Sequence, residues 1–203
     1  LRAREDQEAP GTNNNKKNPM PAKIEIGPAR AADAQVLAEM SRRLVEVGLP
    51  WSWTPARITR HLAHAESLVL SARAGEQVAG FAIMHFGEEV AHLNLLAVDT
   101  QYQRRGIGQR LLAWLEESAV TAGVFLICLE VRSRNPSAIR FYRNRGYQEA
   151  GRLPRYYSGR EDAIRMTRDL RHPESRRTVL PAPSAAASGT LAGADWILTK
   201  FKR

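Results

Sequence analysis

Apolar residues along this chain recur with two different periods, and the alternation between the periods outlines a fold. Val36, Met40, Leu44 and Val47 recur three and four positions apart and predict a helix over 31–47. Thr54-Pro55 supplies an N-cap and a first-turn proline for a second helix. Three apolar runs, 68–74, 78–86 and 91–98, are broken by G-E-Q and G-E-E turns and read as a three-strand meander. Ile107, Leu111 and Leu115 line one face of a helix over 107–122. A strand at 124–131, a helix at 136–145 and strands at 147–153 and 162–170 follow, and a short strand at 23–27 precedes the first helix. A meander followed by alternating helix and strand predicts an α/β domain with a mixed sheet covered by helices. No internal repeat is present.

The periodicity stops outside residues 23–170. Residues 1–22 read as a disordered extension. The chain opens without Met and carries one at Met20, so residues 1–19 are expected to be an upstream extension or an added leader. Residues 171–203 read as a basic, partly disordered tail: A-P-S-A-A-A-S-G-T has linker composition, whereas A-D-W-I-L-T-K-F-K-R is apolar enough to dock on the domain.

Charge adds one constraint. The formal net charge is +9, and the tail, with six basic and two acidic residues, supplies four of it. Such a balance attracts phosphate-rich cofactors, nucleic acid or acidic protein surfaces without choosing among them. No RNA-binding motif or aromatic-basic interleaving accompanies it, so direct nucleic-acid binding is not expected. No apolar run approaches the roughly 18–20 residues that span a bilayer, and no membrane partner is expected. The single cysteine, Cys128, excludes an internal disulfide framework and reads as a buried strand residue. These features suit a reducing cytoplasm, the expected location. His61 and His64 share a helix face and His85 and His92 flank a hairpin, but no cysteine pair or H-E-x-x-H accompanies them, so no metal is expected.

The chemistry concentrates at V-D-T-Q-Y-Q-R-R-G-I-G, residues 98–108, where a strand ends and a helix begins. Such a turn offers free backbone N–H groups at a helix start, a favourable field for anions. Gly106 and Gly108 permit unusual dihedrals and close approach, and Arg104 and Arg105 add positive charge. Phosphate or pyrophosphate is the natural guest; a basic solvent-facing turn is the plain alternative. The string lacks both the lysine of a Walker loop and the third glycine of a dinucleotide fingerprint.

In full, Q-Y-Q-R-R-G-I-G-Q-R-L-L resembles the acetyl-CoA signature of the GCN5-related N-acetyltransferase family, with Gln103, Arg104, Gly106 and Gly108 at its fixed positions. L-E-V-R-S-R-N-P-S-A-I-R-F-Y-R-N-R-G-Y resembles the second half of that cofactor site. R-Y-Y-S-G-R-E-D-A-I-R-M, together with G-L-P-W-S near residue 50, resembles the members that acetylate protein N-termini, the bacterial ribosomal-protein alanine N-acetyltransferases among them. The resemblance spans about residues 22–170. It implies a central mixed, largely antiparallel sheet flanked by helices. It also implies direct acetyl transfer from acetyl-CoA, as cosubstrate, to an amine through a tetrahedral intermediate.

Under that resemblance the pyrophosphate rests on Gln103, Arg104, Arg105, Gly106, Ile107, Gly108 and Gln109, and the pantetheine arm pairs with Leu96, Ala97 and Val98 where two strands splay around a bulge. Glu130 is the expected base, through water, and shares a strand face with Leu126 and Cys128, where burial would raise its proton affinity. A surface glutamate, or one paired with Arg132, is the alternative. Tyr142 is the expected acid and a cofactor contact, against an ordinary core aromatic. Asn135 would cap its helix and hold the cofactor arm. A backbone donor near Ala97 or Val98 would stabilise the oxyanion. Trp51, Trp53, Tyr156 and Tyr157 would line the acceptor side, and Glu161 and Asp162 would either attract a cationic N-terminus or pair with Arg155 or Arg160. A protein N-terminus, that of a ribosomal protein included, is the leading acceptor. Polyamines, aminoglycosides and lysine side chains are the enzymatic rivals, and a non-catalytic RNA- or ribosome-associated module is the rival of another class.

Overall fold

The computed structural model describes residues 23–171; the expectations for residues 1–22 and for the tail beyond Arg171 lie outside the described residues. Chain order is β1 (Ile24–Pro28), α1 (Ala34–Leu44), α2 (Pro55–Ala63), β2 (Ser67–Ala74), β3 (Gln77–Phe86), β4 (Val90–Val98), α3 (Ile107–Thr121), β5 (Leu126–Arg132), α4 (Pro136–Arg143), β6 (Gln148–Tyr157) and β7 (Glu161–Asp169).

These strands form one sheet in the order β1-β2-β3-β4-β5-β7-β6. Every neighbouring pair is antiparallel except β4 and β5, which are parallel. The sheet is therefore mixed and largely antiparallel, as expected. Each face buries its own apolar cluster. Ile107, Leu111, Leu112 and Leu115 of α3 and Tyr142 of α4 pack with Leu70, Ala82, Met84 and Ile127 on one side. On the other, Leu37, Ala38 and Met40 of α1 and Ile58 of α2 pack with Val69, Phe81, Ile83 and Leu95. Fully burying one such Leu or Ile stabilises the fold by about 1.5–3 kcal/mol.

Several boundaries differ from the sequence pattern for identifiable reasons. α1 stops at Leu44, because the carboxylate of Glu46 turns back to accept hydrogen bonds from Ser41 Oγ (3.2 Å), Ser52 N (2.7 Å) and Ser52 Oγ (2.6 Å). Val36 and Val47, expected on the buried face, are exposed; Leu37, Ala38, Met40 and Ser41 occupy it. In β5 the core face is Ile127, Leu129 and Val131, so Cys128 is half-buried rather than in the core, and burial pushes its thiol up to about 12. β6 runs four residues beyond Leu153, through Pro154 to Tyr157.

Candidate active site

The site begins where β4 and β5 part company. Their parallel pairing covers Val90↔Leu126, Ala91↔Ile127 and His92↔Cys128 and then ends. The cause lies in β4: Met84 pairs with Leu93 but Ile83 pairs with Leu95, so Asn94 is an extra residue, a β-bulge. The bulge changes which side chains face which side. Leu95 and Ala97 join the α1–α2 cluster while Leu96 and Val98 pack toward α3. Beyond it, the β4 backbone at Leu95–Val98 is released from β5 and faces the gap. This is the splay that the family resemblance implies.

The glycine-arginine turn closes one end of the gap. Gly106, the residue before α3, adopts φ +75°, which an L side chain rarely takes. Arg104 also takes a positive φ, 64°. A Cβ on Gly108 would meet Leu96 at 3.6 Å and Phe141 at 3.7 Å, ordinary contacts, so the protein alone does not require glycine there. Gln103 Nε2 donates to Val98 O at 3.0 Å and ties the turn to the end of β4. Arg105 stacks over the Tyr102 ring at 5.4 Å. Gln109 is exposed, whereas Ile107 is a core residue whose side chain faces away from any guest, leaving only its backbone to make contact. Positive-φ glycine, helix start and exposed arginines fit a pyrophosphate, and the released β4 edge fits an extended amide-bearing arm.

Across the gap, Glu130 projects from β5 among strong partners. Its carboxylate accepts from His92 Nε2 at 2.6 Å and Arg165 Nε at 2.9 Å. Tyr156 Oη donates to Glu130 Oε2 at 3.4 Å and Tyr157 Oη to the Glu130 carbonyl at 3.0 Å. The side chain is only 4% exposed. Burial alone would push its carboxyl up. The hydrogen bond and charge of His92 and the charge of Arg165 outweigh that and hold it below the usual carboxylate range. This corrects the expectation of a raised proton affinity. The alternative pairing with Arg132 is also excluded: Arg132 binds Glu161 Oε2 through Nε at 2.8 Å and Nη2 at 2.5 Å.

Tyr142 lines the same groove from α4, 8% exposed, with its ring edge-on to Phe141 at 5.1 Å and Tyr147 at 5.5 Å. Burial pushes its phenol well above the ordinary value, so it stays protonated. Asn135 caps α4, with Ala138 N donating to Oδ1 at 3.0 Å. Trp51 and Trp53 both reach the groove, yet differently. Trp51 is half-buried beneath the Arg42 guanidinium (5.1 Å), with its indole N–H buried and unpartnered. Trp53 is largely core, 6% exposed, with Arg57 3.9 Å above its ring. Glu161 and Asp162 pair with neither Arg155 nor Arg160 through side chains: Glu161 takes Arg132, and Asp162 takes Arg152 (2.9 Å) and the Arg155 backbone N–H (2.8 Å).

One groove thus gathers Leu96, Ala97, Val98, Gln103, Glu130, Asn135, Tyr142, Trp51, Trp53, Tyr156 and Tyr157, while Arg104 through Gln109 lie outside its lining. Sequence reasoning missed His92 and Arg165. Neither stands in a motif; each is brought to Glu130 by register, Arg165 as its direct cross-strand partner in β7.

Comparison with known proteins places this geometry. The model of the acetyltransferase (GNAT) family matches residues 37–147. An N-alpha-acetyltransferase RimI from Mycobacterium tuberculosis is 38% identical over 156 residues, covering 74% of this chain and 95% of that protein. A [ribosomal protein bS18]-alanine N-acetyltransferase from Salmonella typhimurium is 41% identical over 102 residues, 49% of this chain and 69% of that protein. The crystal structure of the ribosomal-protein-S18-alanine N-acetyltransferase from Escherichia coli superposes with a TM-score of 0.64 at 30% identity, covering 73% of this chain and 94% of the other. A family model matched over residues 37–147 and a relative 38% identical over 74% of this chain lead to one assignment: the chain belongs to the GNAT acetyltransferase family and is an acetyl-CoA-dependent N-acetyltransferase.

Proposed function

We propose that this enzyme acetylates the α-amine of a protein N-terminus, with N-terminal alanine of a ribosomal protein as the leading acceptor, in a cytoplasmic setting. The observation that carries the reading is the state of Glu130: a buried carboxylate held ionised by His92 and Arg165 at the foot of the acceptor groove. Such a group is a weak base. An α-ammonium titrates at about 7.7–8, so a useful fraction is already neutral, whereas a lysine amine near 10.4 needs a stronger base. The relatives named for N-terminal acetylation support the same acceptor class.

Bound acetyl-CoA supplies the electrophilic acetyl carbonyl. The backbone of Leu96, Ala97 and Val98 would hold the arm, and the turn from Gln103 to Gln109 the pyrophosphate. A backbone N–H near Ala97 or Val98 would stabilise the oxyanion that forms on direct attack. Glu130 takes the proton that the amine sheds, through water, with His92 Nε2 at 2.6 Å orienting its carboxylate. Tyr142 donates a hydrogen bond to the departing sulfur; its high proton affinity suits donation more than complete proton transfer. Tyr156, Tyr157 and Trp51 border the incoming peptide.

A polyamine or aminoglycoside acceptor is less well served. Of the groove's four carboxylates, Glu46, Glu130 and Glu161 are engaged by internal donors and Glu66 is exposed, and Arg43, Arg57, Arg60, Arg132 and Arg134 share its lining. The test is incubation with acetyl-CoA and short peptides varied at their first two positions, with fragmentation to fix the acetyl position. α-Amine products strongest for N-terminal Ala are expected, reduced about a hundredfold in Glu130→Gln and also lowered in Tyr142→Phe. Lysine-only products, or no peptide product while acetyl-CoA still binds, would sink the reading.

A further inference from the structure

No single element of this chain carries a metal motif, yet three elements assemble a ligand set. His64 caps the C-terminus of α2, Glu66 immediately precedes β2, and His85 lies near the end of β3, opposite Ser67 in the strand register. One ligand atom from each lies within 4.8 Å of the others. His85 Nε2 faces Glu66 Oε2 at 3.8 Å. Ligand atoms around a tetrahedral zinc ion at about 2.0–2.1 Å stand about 3.3 Å apart. His64 and Glu66 are exposed, so side-chain rotation can close the difference without moving the backbone.

The surroundings orient the set. Ser67 Oγ lies 3.3 Å from His85 Nδ1 and 3.0 Å from His61 Nδ1. Both contacts are satisfied when His85 Nδ1–H donates to Ser67 Oγ and the Ser67 hydroxyl donates to His61 Nδ1. That tautomer leaves the His85 lone pair on Nε2, the atom facing Glu66. An outer partner that fixes the ring in this way is what a histidine ligand requires. The Glu66 backbone N–H donates to His64 Nδ1 over a long 3.3 Å, so a cation taking that lone pair displaces this hydrogen bond, and the exposed Glu66 N–H turns to water.

We propose that His64, Glu66 and His85 form a binding site for a zinc-type divalent cation at the acceptor end of the groove. Two imidazoles and one carboxylate select a borderline transition metal over oxygen-seeking magnesium or calcium. Three protein ligands leave a fourth position for water. His64, Glu66 and His85 line the same groove as the acceptor residues, and His61 packs on Trp53 with ring centres 5.1 Å apart. The bound ion clamps the end of α2 onto β2 and β3 and fixes the wall that carries Trp53 and Arg57. This last consequence for acceptor binding rests on the peptide reading above; the metal site does not.

The experiment uses the full chain stripped with a strong chelator and dialysed, without acetyl-CoA or peptide. Zinc is titrated in competition with a chromophoric chelator, and cobalt is followed by its visible absorption. One equivalent of zinc should bind and raise the melting temperature. His64→Ala and Glu66→Ala, both at exposed positions, should each weaken zinc at least tenfold and reduce the cobalt band, as should His85→Ala if it folds. Failure of zinc to compete would overturn the site, as would zinc held equally by His64→Ala and Glu66→Ala. Because the readout contains no acetyl transfer, a wrong acceptor assignment leaves it untouched.

Discussion

At the scale of single residues, the proposed chemistry depends on what surrounds Glu130. Its neighbours were chosen by register: Arg165 sits directly opposite in β7, and His92 is paired beside Cys128 in β4. Arg165 lowers the Glu130 carboxyl, so Arg165→Gln should let it rise. The rate profile is a poor place to see this, because the proposed acceptor, an α-ammonium, itself titrates at about 7.7–8 and shapes the acid limb. The carboxyl is better read directly, from the side-chain ¹³C shift of Glu130 in glutamate-labelled protein, with Glu130→Gln as the assignment control. The wild-type group should titrate below the ordinary glutamate value of about 4.3, and the Arg165→Gln group at higher pH than wild type. Identical titrations in the two proteins would show that the ion pair does not hold the base down.

At the scale of elements, a capping residue can be separated from a cofactor ligand. Asn135 Oδ1 already accepts the Ala138 N–H at the start of α4, an eight-residue helix with Pro136 at its first position. Asn135→Ala should cost about 1 kcal/mol, a fall of roughly 2–4 °C in melting temperature for a domain of this size. Asn135→Ser keeps a capping oxygen and should restore stability. If Asn135 also holds the cofactor arm, Ser restores the melting temperature but leaves the KM for acetyl-CoA raised; recovery of both would reduce the residue to a cap. The cap was legible in sequence because Asn-Pro before an amphipathic run is a local signal. So were α3, whose Ile107, Leu111 and Leu115 are all buried, and the strand-to-helix turn before it with its positive-φ Gly106. The elements that went astray are those set by tertiary structure. β6 lies at the sheet edge and is mostly exposed on both faces, so no alternation betrays it, and an edge tolerates Pro154. α1 ends where the Glu46 carboxylate turns to bind Ser52, six residues on, a contact that apolar periodicity does not register. His92 and Arg165 are 38 and 35 residues from Glu130 along the chain, and only strand register unites them.

At the scale of the molecule, opening a groove in the middle of a sheet leaves two halves that must be held together by other means. Three register pairs join β4 to β5, and past them the connection passes to side chains. Arg132 is a principal one: it grips Glu161 at the start of β7 and donates through Nη1 to the carbonyls of Val45 (3.3 Å) and Val47 (2.8 Å) in the loop after α1. The Arg132 hydrogen bond holds the Glu161 carboxyl below its usual range, despite burial acting the other way. A carboxyl lowered in the folded state stabilises fully above its unfolded value, about 4.3 for glutamate, and loses that contribution as pH falls through the folded value. Arg132→Gln removes the principal cause of the shift. Its melting temperature should therefore lie below wild type at neutral pH, and the gap should narrow as the pH drops below about 4.3 toward the lowered value at which folded wild-type Glu161 takes up its proton. The remaining difference at low pH reports the lost bonds to Val45 and Val47, which do not titrate. Melting curves of the two proteins from neutral pH to pH 3 measure both parts, and a gap independent of pH would mean that the guanidinium holds the loop without engaging Glu161 as a charge.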